Sequence, residues 1–264
     1  MGSVLPPDNH VHTQWSWDAP AEASMVRSCE QALALGVPAV AFTDHLDFTT
    51  GTDGDRVTAE HIEPRPYARM HLLDVPGYLA MVDECRERYP DLRILTGAEI
   101  GEAHLWAASA QAVVARAGFE RILGSLHAIP FDGKLTASDE LFRRMPADQV
   151  MRLYFAELLR LVEGSDIFQV LAHLDFPRRM WPQTAGPYEE LAFEAEYRAV
   201  LRALAASACS QLRTIDASRG ASHDHSVCTW LSTGGDQPSL AGACCCTGGT
   251  AGSVLLVSGL LLRP

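Results

Sequence analysis

Apolar runs of strand length alternate with amphipathic segments along most of this chain. Each of four runs stops at, or a few residues before, a side chain of the kind that binds metal ions. These runs and the side chains that follow them are residues 36–42 with His45, residues 92–98 with Glu99, residues 119–126 with His127, and residues 167–172 with His173. The pattern predicts four buried strands that each present one candidate ligand.

The segments between these runs have the periodicity and the end signals of helices. Glycines end three of them and Pro90 follows another, as is typical of helix C-termini. The predicted helices cover residues 19–35, 75–89, 107–117 and 148–162. Such alternation predicts an α/β fold with a parallel sheet, closed or open, and helices outside it. In barrels of this kind the chemistry lies at the carboxyl ends of the strands, where the candidate ligands fall.

Two histidines near the start of the chain strengthen the metal interpretation. Residues i and i+2 of an extended segment point to the same side, so His10 and His12 can bind one ion while Val11 packs behind them. A metal site needs several converging donors, and the strand-end residues supply them. Together these residues predict a metal enzyme.

Five ordered motifs resemble those of the polymerase-and-histidinol-phosphatase (PHP) superfamily. They are His10-Val11-His12-Thr13, Thr43-Asp44-His45, Gly97-Ala98-Glu99, Gly124-Ser125-Leu126-His127 and Ala172-His173-Leu174-Asp175. Within that superfamily, three further segments are similar to the bacterial histidinol-phosphate phosphatases: Trp15-Ser16-Trp17-Asp18, residues 42–48 and Trp181-Pro182. The likeness covers residues 8–205. It implies a distorted (β/α)7 barrel, incomplete at its C-terminus, around two or three divalent metal ions.

The resemblance also implies how the ligands divide among the ions. His10 and His12 hold the first ion, and Glu99 bridges it to a second. His127 and His173 complete the second site, while Asp18 and His45 hold a third ion. Imidazole and carboxylate donors suit zinc, manganese or iron, and the donor set does not choose among them.

Several residues near these motifs have open assignments. Glu102 is an alternative to Glu99 as the bridging carboxylate. Asp44 and Asp175 either orient a neighbouring imidazole or cap a helix. His61, His71 and His104 are expected at the surface or in a substrate loop, and residues 49–76 are expected to form a long loop over the site.

The implied reaction is hydrolysis of L-histidinol phosphate to L-histidinol and phosphate. Paired ions roughly 3.5 to 4 Å apart lower the pKa of a bridging water and clamp the phosphate, so no side-chain nucleophile is assigned. Arg178 and Arg179 are candidate phosphate clamps because guanidinium groups match phosphate oxygens, although a solvated loop explains them equally well. The alternatives are a phosphoesterase of the nuclease or proofreading type, and a non-catalytic chain with a partial metal site.

The pattern changes from residue 206 onward, so we predict a PHP domain over residues 1–205 and an atypical tail over residues 206–264. The tail contains no glutamate and five of the seven cysteines, and it lacks the Asp-x-His motif with which the superfamily ends. Either the tail is a divergent segment, in which His223-Asp224-His225 could substitute as ligands, or the reading frame shifts near residue 207. We favour the frameshift, which sequencing of the coding DNA tests.

Composition narrows the partners. The net charge of −12 argues against a nucleic-acid partner, because binding of a phosphate backbone needs a basic surface. A small phosphorylated substrate can still bind, because metal ions in the site would dominate the local electric field. The longest apolar run, residues 254–262, is too short to cross a bilayer, and the cysteines form no disulfide framework. We therefore expect a cytoplasmic enzyme that does not contact membranes, of undetermined oligomeric state.

Overall fold

The computed structural model describes residues 5–48 and 71–218. Eight strands are present in this part of the chain: β1 (Asp8–Val11), β2 (Ala39–Phe42), β3 (His45–Leu46), β4 (Arg93–Gly101), β5 (Arg121–Ser125), β6 (Ala128–Phe131), β7 (Lys134–Ala137) and β8 (Val170–Leu171). The α-helices are α1 (Met25–Leu35), α2 (Val75–Arg88), α3 (Ala107–Ala117), α4 (Ser138–Leu141), α5 (Ala147–Gly164) and α6 (Glu194–Ser218). Three short 3₁₀ segments lie between β8 and α6.

Six of the strands form one parallel sheet in the order β1-β2-β4-β5-β8, with β3 added beside β4. This confirms the predicted α/β fold with a parallel sheet. Within the described ranges β1 and β8 lie at opposite ends of the sheet and do not pair, so the sheet remains open. An open sheet is consistent with a barrel that lacks its last strands.

Helix α1 shows why several boundaries differ from the prediction. It begins at Met25, not at residue 19, because the hydroxyl of Ser24 caps it and residues before it form turns that include Pro20. It ends at Gly36, which adopts a left-handed conformation with φ of 74°. Strand β2 begins only at Ala39, since Pro38 has no N–H to donate.

Tyr78 of helix α2 fixes the point where β2 and β4 separate. Its buried hydroxyl donates to the carbonyl of Phe42 at 2.6 Å and accepts the N–H of Gly97 at 2.8 Å. Burial raises the pKa of Tyr78, so the hydroxyl remains protonated. The strands can therefore part beyond Phe42 without leaving these backbone groups unpaired, and the chain gains room for His45.

A hairpin that the sequence analysis did not predict follows β5. Strands β6 and β7 pair antiparallel around Asp132-Gly133, both at positive φ. An Asp-Gly pair favours such a two-residue turn. The hairpin leads directly into α4, whose first residues Ser138 and Asp139 line the cavity described below.

Helix α6 crosses the predicted domain boundary at residue 205 and continues to Ser218. The boundary itself stays a prediction. Residues 49–70, with His61 and most of the predicted loop, and residues 219–264, with the remainder of the atypical tail, lie outside the described residues. No helix of the described ranges is long and apolar enough to cross a membrane.

Candidate metal centre

All seven predicted ligands line one cavity of about 530 Å³ at the carboxyl ends of the sheet strands. They are His10, His12, Asp18, His45, Glu99, His127 and His173. The parallel topology explains the convergence, because β1, β4, β5 and β8 all point their carboxyl ends to the same edge.

Glu99 lies at the middle of this cluster and is 1% exposed. Its Oε1 lies 2.8 Å from Nε2 of His173 and 3.3 Å from Nε2 of His127. Its Oε2 lies 3.2 Å from the Nε2 atoms of both His10 and His12 and 3.4 Å from Nδ1 of His45. One carboxylate therefore contacts five imidazole rings.

The expectation that Glu99 follows its strand is wrong. Strand β4 continues to Gly101, and Glu99 lies within it. The extended part of β4 pairs with β5 on one side and with β3 on the other, where His45 is in register with Glu99. The backbone of β4 therefore fixes the direction of the Glu99 side chain.

Donor atoms of six of these ligands, all except His173, fall into three overlapping groups, each within 4.8 Å. The groups are His10, His12 and Glu99; His12, Asp18 and His45; and His45, Glu99 and His127. Nε2 of His10 and Nε2 of His12 approach to 3.0 Å, and buried Oε2 of Glu99 accepts no hydrogen bond from a described residue. Such converging, unsatisfied imidazole and carboxylate atoms fit divalent metal ions.

Electrostatics keep several of these donors ready to bind a cation. Burial alone would raise the pKa of Glu99, but His45, His127 and His10 hold it well below its usual range. Burial lowers the pKa of His173 to about 4, so its ring is neutral at physiological pH. Burial also opposes charge on His127, yet Glu99 and Asp47 raise the pKa of His127 well above its usual value. A metal ion must displace that proton.

Asp44 orients the first histidine pair indirectly. Its buried carboxylate accepts the N–H of Thr13 at 2.6 Å and the Ser16 hydroxyl at 2.9 Å. Oγ of Ser16 in turn lies 2.9 Å from Nδ1 of His12. The chain from Asp44 through Ser16 fixes the ring of His12, which is the orienting role that the sequence left open. Asp175, by contrast, contacts Arg178 and Tyr197.

Glu102 has a structural role in this arrangement. It adopts φ of 49°, and its Oε1 accepts the N–H groups of His127 at 2.6 Å and Ala128 at 2.8 Å. Burial raises the pKa of Glu102 to about 7. The side chain thus anchors the start of the β6–β7 hairpin, whereas Glu99 is the carboxylate that contacts the imidazole cluster.

Asp47 was missed by the sequence analysis. Its side chain is 5% exposed and lies against His45 and His127, with Oδ2 accepting the indole N–H of Trp17 at 2.8 Å. The available signal was the spacing of His45 and Asp47, which repeats the i, i+2 spacing of His10 and His12.

The expectation for His104 is wrong. The residue is not at the surface but is only 2% exposed, and its Nε2 lies 2.7 Å from Oε1 of Glu157 in helix α5. His71 is exposed, as expected, and its Nδ1 lies 3.2 Å from the carbonyl of Leu72.

The two predicted phosphate clamps lie in different environments. Arg178 forms ion pairs with Asp175 at 3.3 Å and Glu190 at 2.6 Å, and it does not line the cavity. Arg179 lines the cavity and stacks over Phe176, and no carboxylate of the described chain pairs with it. Only Arg179 therefore presents an uncommitted guanidinium to the cluster.

The PHP domain profile matches residues 8–208. The chain belongs to the PHP family. This PHP chain is 24% identical over 205 residues to the histidinol-phosphatase of Lactococcus lactis subsp. lactis, covering 75% of this chain and 67% of that protein. It is 22% identical over 172 residues to a probable histidinol-phosphatase of Clostridium acetobutylicum, covering 65% of this chain and 58% of that protein.

Two solved structures share the fold of this PHP chain. The histidinol phosphate phosphatase of Lactococcus lactis, in complex with zinc, L-histidinol and phosphate, superposes with a TM-score of 0.62 and 22% identity over 76% of this chain and 70% of that one. The putative histidinol phosphatase of Listeria monocytogenes gives a TM-score of 0.61 and 15% identity over 76% and 79%. These likenesses confirm the predicted PHP-type barrel architecture.

Proposed function

We propose that this PHP protein is a metal-dependent phosphomonoesterase that hydrolyses L-histidinol phosphate to L-histidinol and phosphate. The observation that carries the proposal is the contact of Glu99 with five imidazole rings in a single cavity. The similarity to a phosphatase whose structure contains zinc, L-histidinol and phosphate supports the choice of substrate. We place the reaction in histidine biosynthesis in the cytoplasm.

The proposed centre holds two or three divalent ions of zinc, manganese or iron. His10 and His12 would hold one ion, His127 and His173 a second, and Glu99, which contacts all four rings, would bridge them. Asp18 and His45 would hold a third, since Nε2 of His45 lies 3.4 Å from Oδ2 of Asp18. Ions held there would activate water for attack on phosphorus and offset the charge of the phosphate.

The side chains of the site have separable tasks in this reaction. Glu99 remains a carboxylate because its pKa is depressed, and His173 remains a neutral donor. Arg179 would bind phosphate oxygens through its guanidinium. Trp17 and Phe176 line the same cavity and offer aromatic faces to the imidazole side chain of the substrate.

Acidic composition favours a small substrate over a nucleic acid. The chain carries a net charge of −12, whereas proteins that bind a phosphate backbone need a basic surface. The cavity of about 530 Å³ is within the range of small-molecule sites.

Phosphate release from L-histidinol phosphate, measured with added manganese or zinc, tests the proposal. We expect turnover that a chelator abolishes and that added metal restores, with little cleavage of oligonucleotides or phosphodiesters. Faster cleavage of oligonucleotides would favour the nuclease alternative. Bound metal, measured by elemental analysis, without phosphate release from any substrate would favour the non-catalytic alternative.

A further inference from the structure

Asp47 lies behind two of the proposed metal ligands. Its Oδ2 is 3.3 Å from Nδ1 of His45, and its Oδ1 is 3.7 Å from Nδ1 of His127. The opposite nitrogens of these rings face the cluster: Nε2 of His127 lies 3.3 Å from Glu99 and Nε2 of His45 lies 3.4 Å from Asp18. One buried carboxylate thus contacts the rear nitrogens of two rings.

The surrounding structure is built to accommodate this carboxylate. Gly101 ends strand β4, and a Cβ at this position would overlap Oδ1 of Asp47 and lie 3.2 Å from Nδ1 of His127. The indole N–H of Trp17 donates to Oδ2 at 2.8 Å. A residue without a side chain and a specific donor together hold Asp47 against the rings.

We propose that Asp47 is a positioning residue for the metal centre, and the inference rests on the proposed metal-dependent function. A carboxylate beside Nδ1 favours the tautomer in which Nδ1 carries the proton and Nε2 offers its lone pair to a cation. Asp47 lies beside the Nδ1 atoms of both His127 and His45 without a direct hydrogen bond to either, so its charge would favour this tautomer in the two rings together. Nδ1 of His45 also lies 3.4 Å from Oε2 of Glu99, so Asp47 competes there with the bridging carboxylate for the same ring nitrogen.

The test is the affinity of Asp47→Asn for manganese or zinc, measured by calorimetry on the full chain after removal of metal. Substitution of a residue that orients a ligand costs about 10- to 100-fold in metal affinity. We expect a loss of that size with an unchanged number of ions per chain at saturating metal, and little change in the melting temperature of the metal-free protein. Asp132→Asn, an exposed aspartate in the β6–β7 turn, is the matched control and should bind metal as the wild type does.

Trp17→Phe provides a second variant, which keeps Asp47 and the proposed ligands but removes the indole N–H that donates to Oδ2 of Asp47. It should reproduce the affinity loss, which keeps the inference testable if Asp47→Asn fails to fold. Equal affinity of the wild type and both variants would overturn the positioning role alone. Loss of one ion per chain in Asp47→Asn would overturn it too, by making Asp47 a direct ligand. Failure of the wild type to bind metal would overturn the proposed function and this inference together.

Discussion

Nε2 of His173 lies 2.8 Å from Oε1 of Glu99, although 74 residues separate them along the chain. The contact spans the sheet from β8 to β4, on either side of β5. It exists because parallel strands end at one edge, so residues far apart in sequence meet there. Glu99 is therefore the residue on which the whole cluster depends.

Glu99→Gln should abolish most of the metal binding and activity. The amide keeps the shape of the side chain but removes the charge that the five rings surround, so the loss should exceed the roughly 10- to 100-fold typical of residues outside the ligand sphere. Glu102→Gln is the matched control. Its amide oxygen can still accept the two backbone N–H groups, so metal affinity should stay close to wild type. Calorimetry on both variants makes the measurement, and a larger effect of Glu102→Gln would identify Glu102 as the bridging carboxylate.

The metal-free protein should lose stability as pH rises above 6.5. The depressed pKa of His173, about 4, gives stability that is complete above its ordinary value of 6.5 and is lost as pH falls through the folded value. The raised pKa of His127 gives stability that is complete below 6.5 and is lost as pH rises through its folded value. The depressed pKa of Glu99 adds a further loss below its ordinary value of 4.5. Between about pH 4.5 and 7 the pKa of Glu102, raised to about 7, gives stability that is lost as pH rises, and this offsets the opposite effect of His173.

Melting temperatures of the chelated protein from acid to mildly alkaline pH check this dependence. Added metal should raise the melting temperature more at higher pH, because metal competes with protons for the imidazoles. The melting temperature of His173→Gln should fall less than that of the wild type as pH decreases below 6.5. A melting temperature that keeps rising above pH 6.5 without metal would contradict the assignment of His127.

Ser16→Ala should weaken metal binding about 10-fold and cost about 1–3 kcal/mol of stability, because the buried carboxylate of Asp44 and the buried N–H of His45 each lose a partner. The hydroxyl links the buried carboxylate of Asp44 to Nδ1 of His12, so its removal frees the ring to rotate. Metal titration and urea unfolding separate the two effects. Ser28→Ala, on helix α1 outside the ligand cluster, should leave metal affinity unchanged. An equal loss in both variants would argue against the orienting chain.

Arg179→Met should lower kcat/KM for L-histidinol phosphate by about 10- to 100-fold, the equivalent of one charged hydrogen bond of about 1.5–3 kcal/mol. Arg178→Met is the matched control from the next position along the chain. Because Asp175 and Glu190 already pair with Arg178, its removal should change kcat/KM little. Steady-state kinetics of both variants make the comparison, and the reverse ranking would place the phosphate beside Arg178.

The convergence of the seven candidate ligands in one cavity could be predicted from local pattern and the family resemblance. Histidine or glutamate at or near the end of an apolar run is visible in the sequence, and parallel topology then brings these segments together at one edge. The extension of β4 past Glu99 could not be seen, since it depends on pairing with both β3 and β5. The roles of Asp47 and Gly101 likewise depend on the close approach of separate segments.

His104 shows that long-range contacts also limit sequence-based prediction in the protein core. Its sequence neighbourhood is polar and loop-like, and its partner Glu157 is 53 residues away in helix α5. Burial of a histidine through such a contact leaves no local signature, so the surface assignment was wrong. The Asp-Gly turn of the β6–β7 hairpin, by contrast, was a local signal that the strand-helix pattern obscured.

The pair of His104 and Glu157 should show strong energetic coupling. Both side chains are almost fully buried, with 1% and 4% exposed, and Arg160 contacts the other oxygen of Glu157 at 2.6 Å. His104→Leu leaves a buried carboxylate with one partner, and Glu157→Leu leaves a buried ring without its acceptor. Removal of one member of a buried pair costs about 3–5 kcal/mol, whereas apolar replacement of both is close to neutral. Urea unfolding of the two single variants and the double variant should therefore give a double variant more stable than the sum of the single losses predicts. The exposed pair of Arg143 and Glu140 provides the control, with coupling of about 0–1 kcal/mol. Additive losses at His104 and Glu157 would mean that the two residues stabilise the loop after β4 independently.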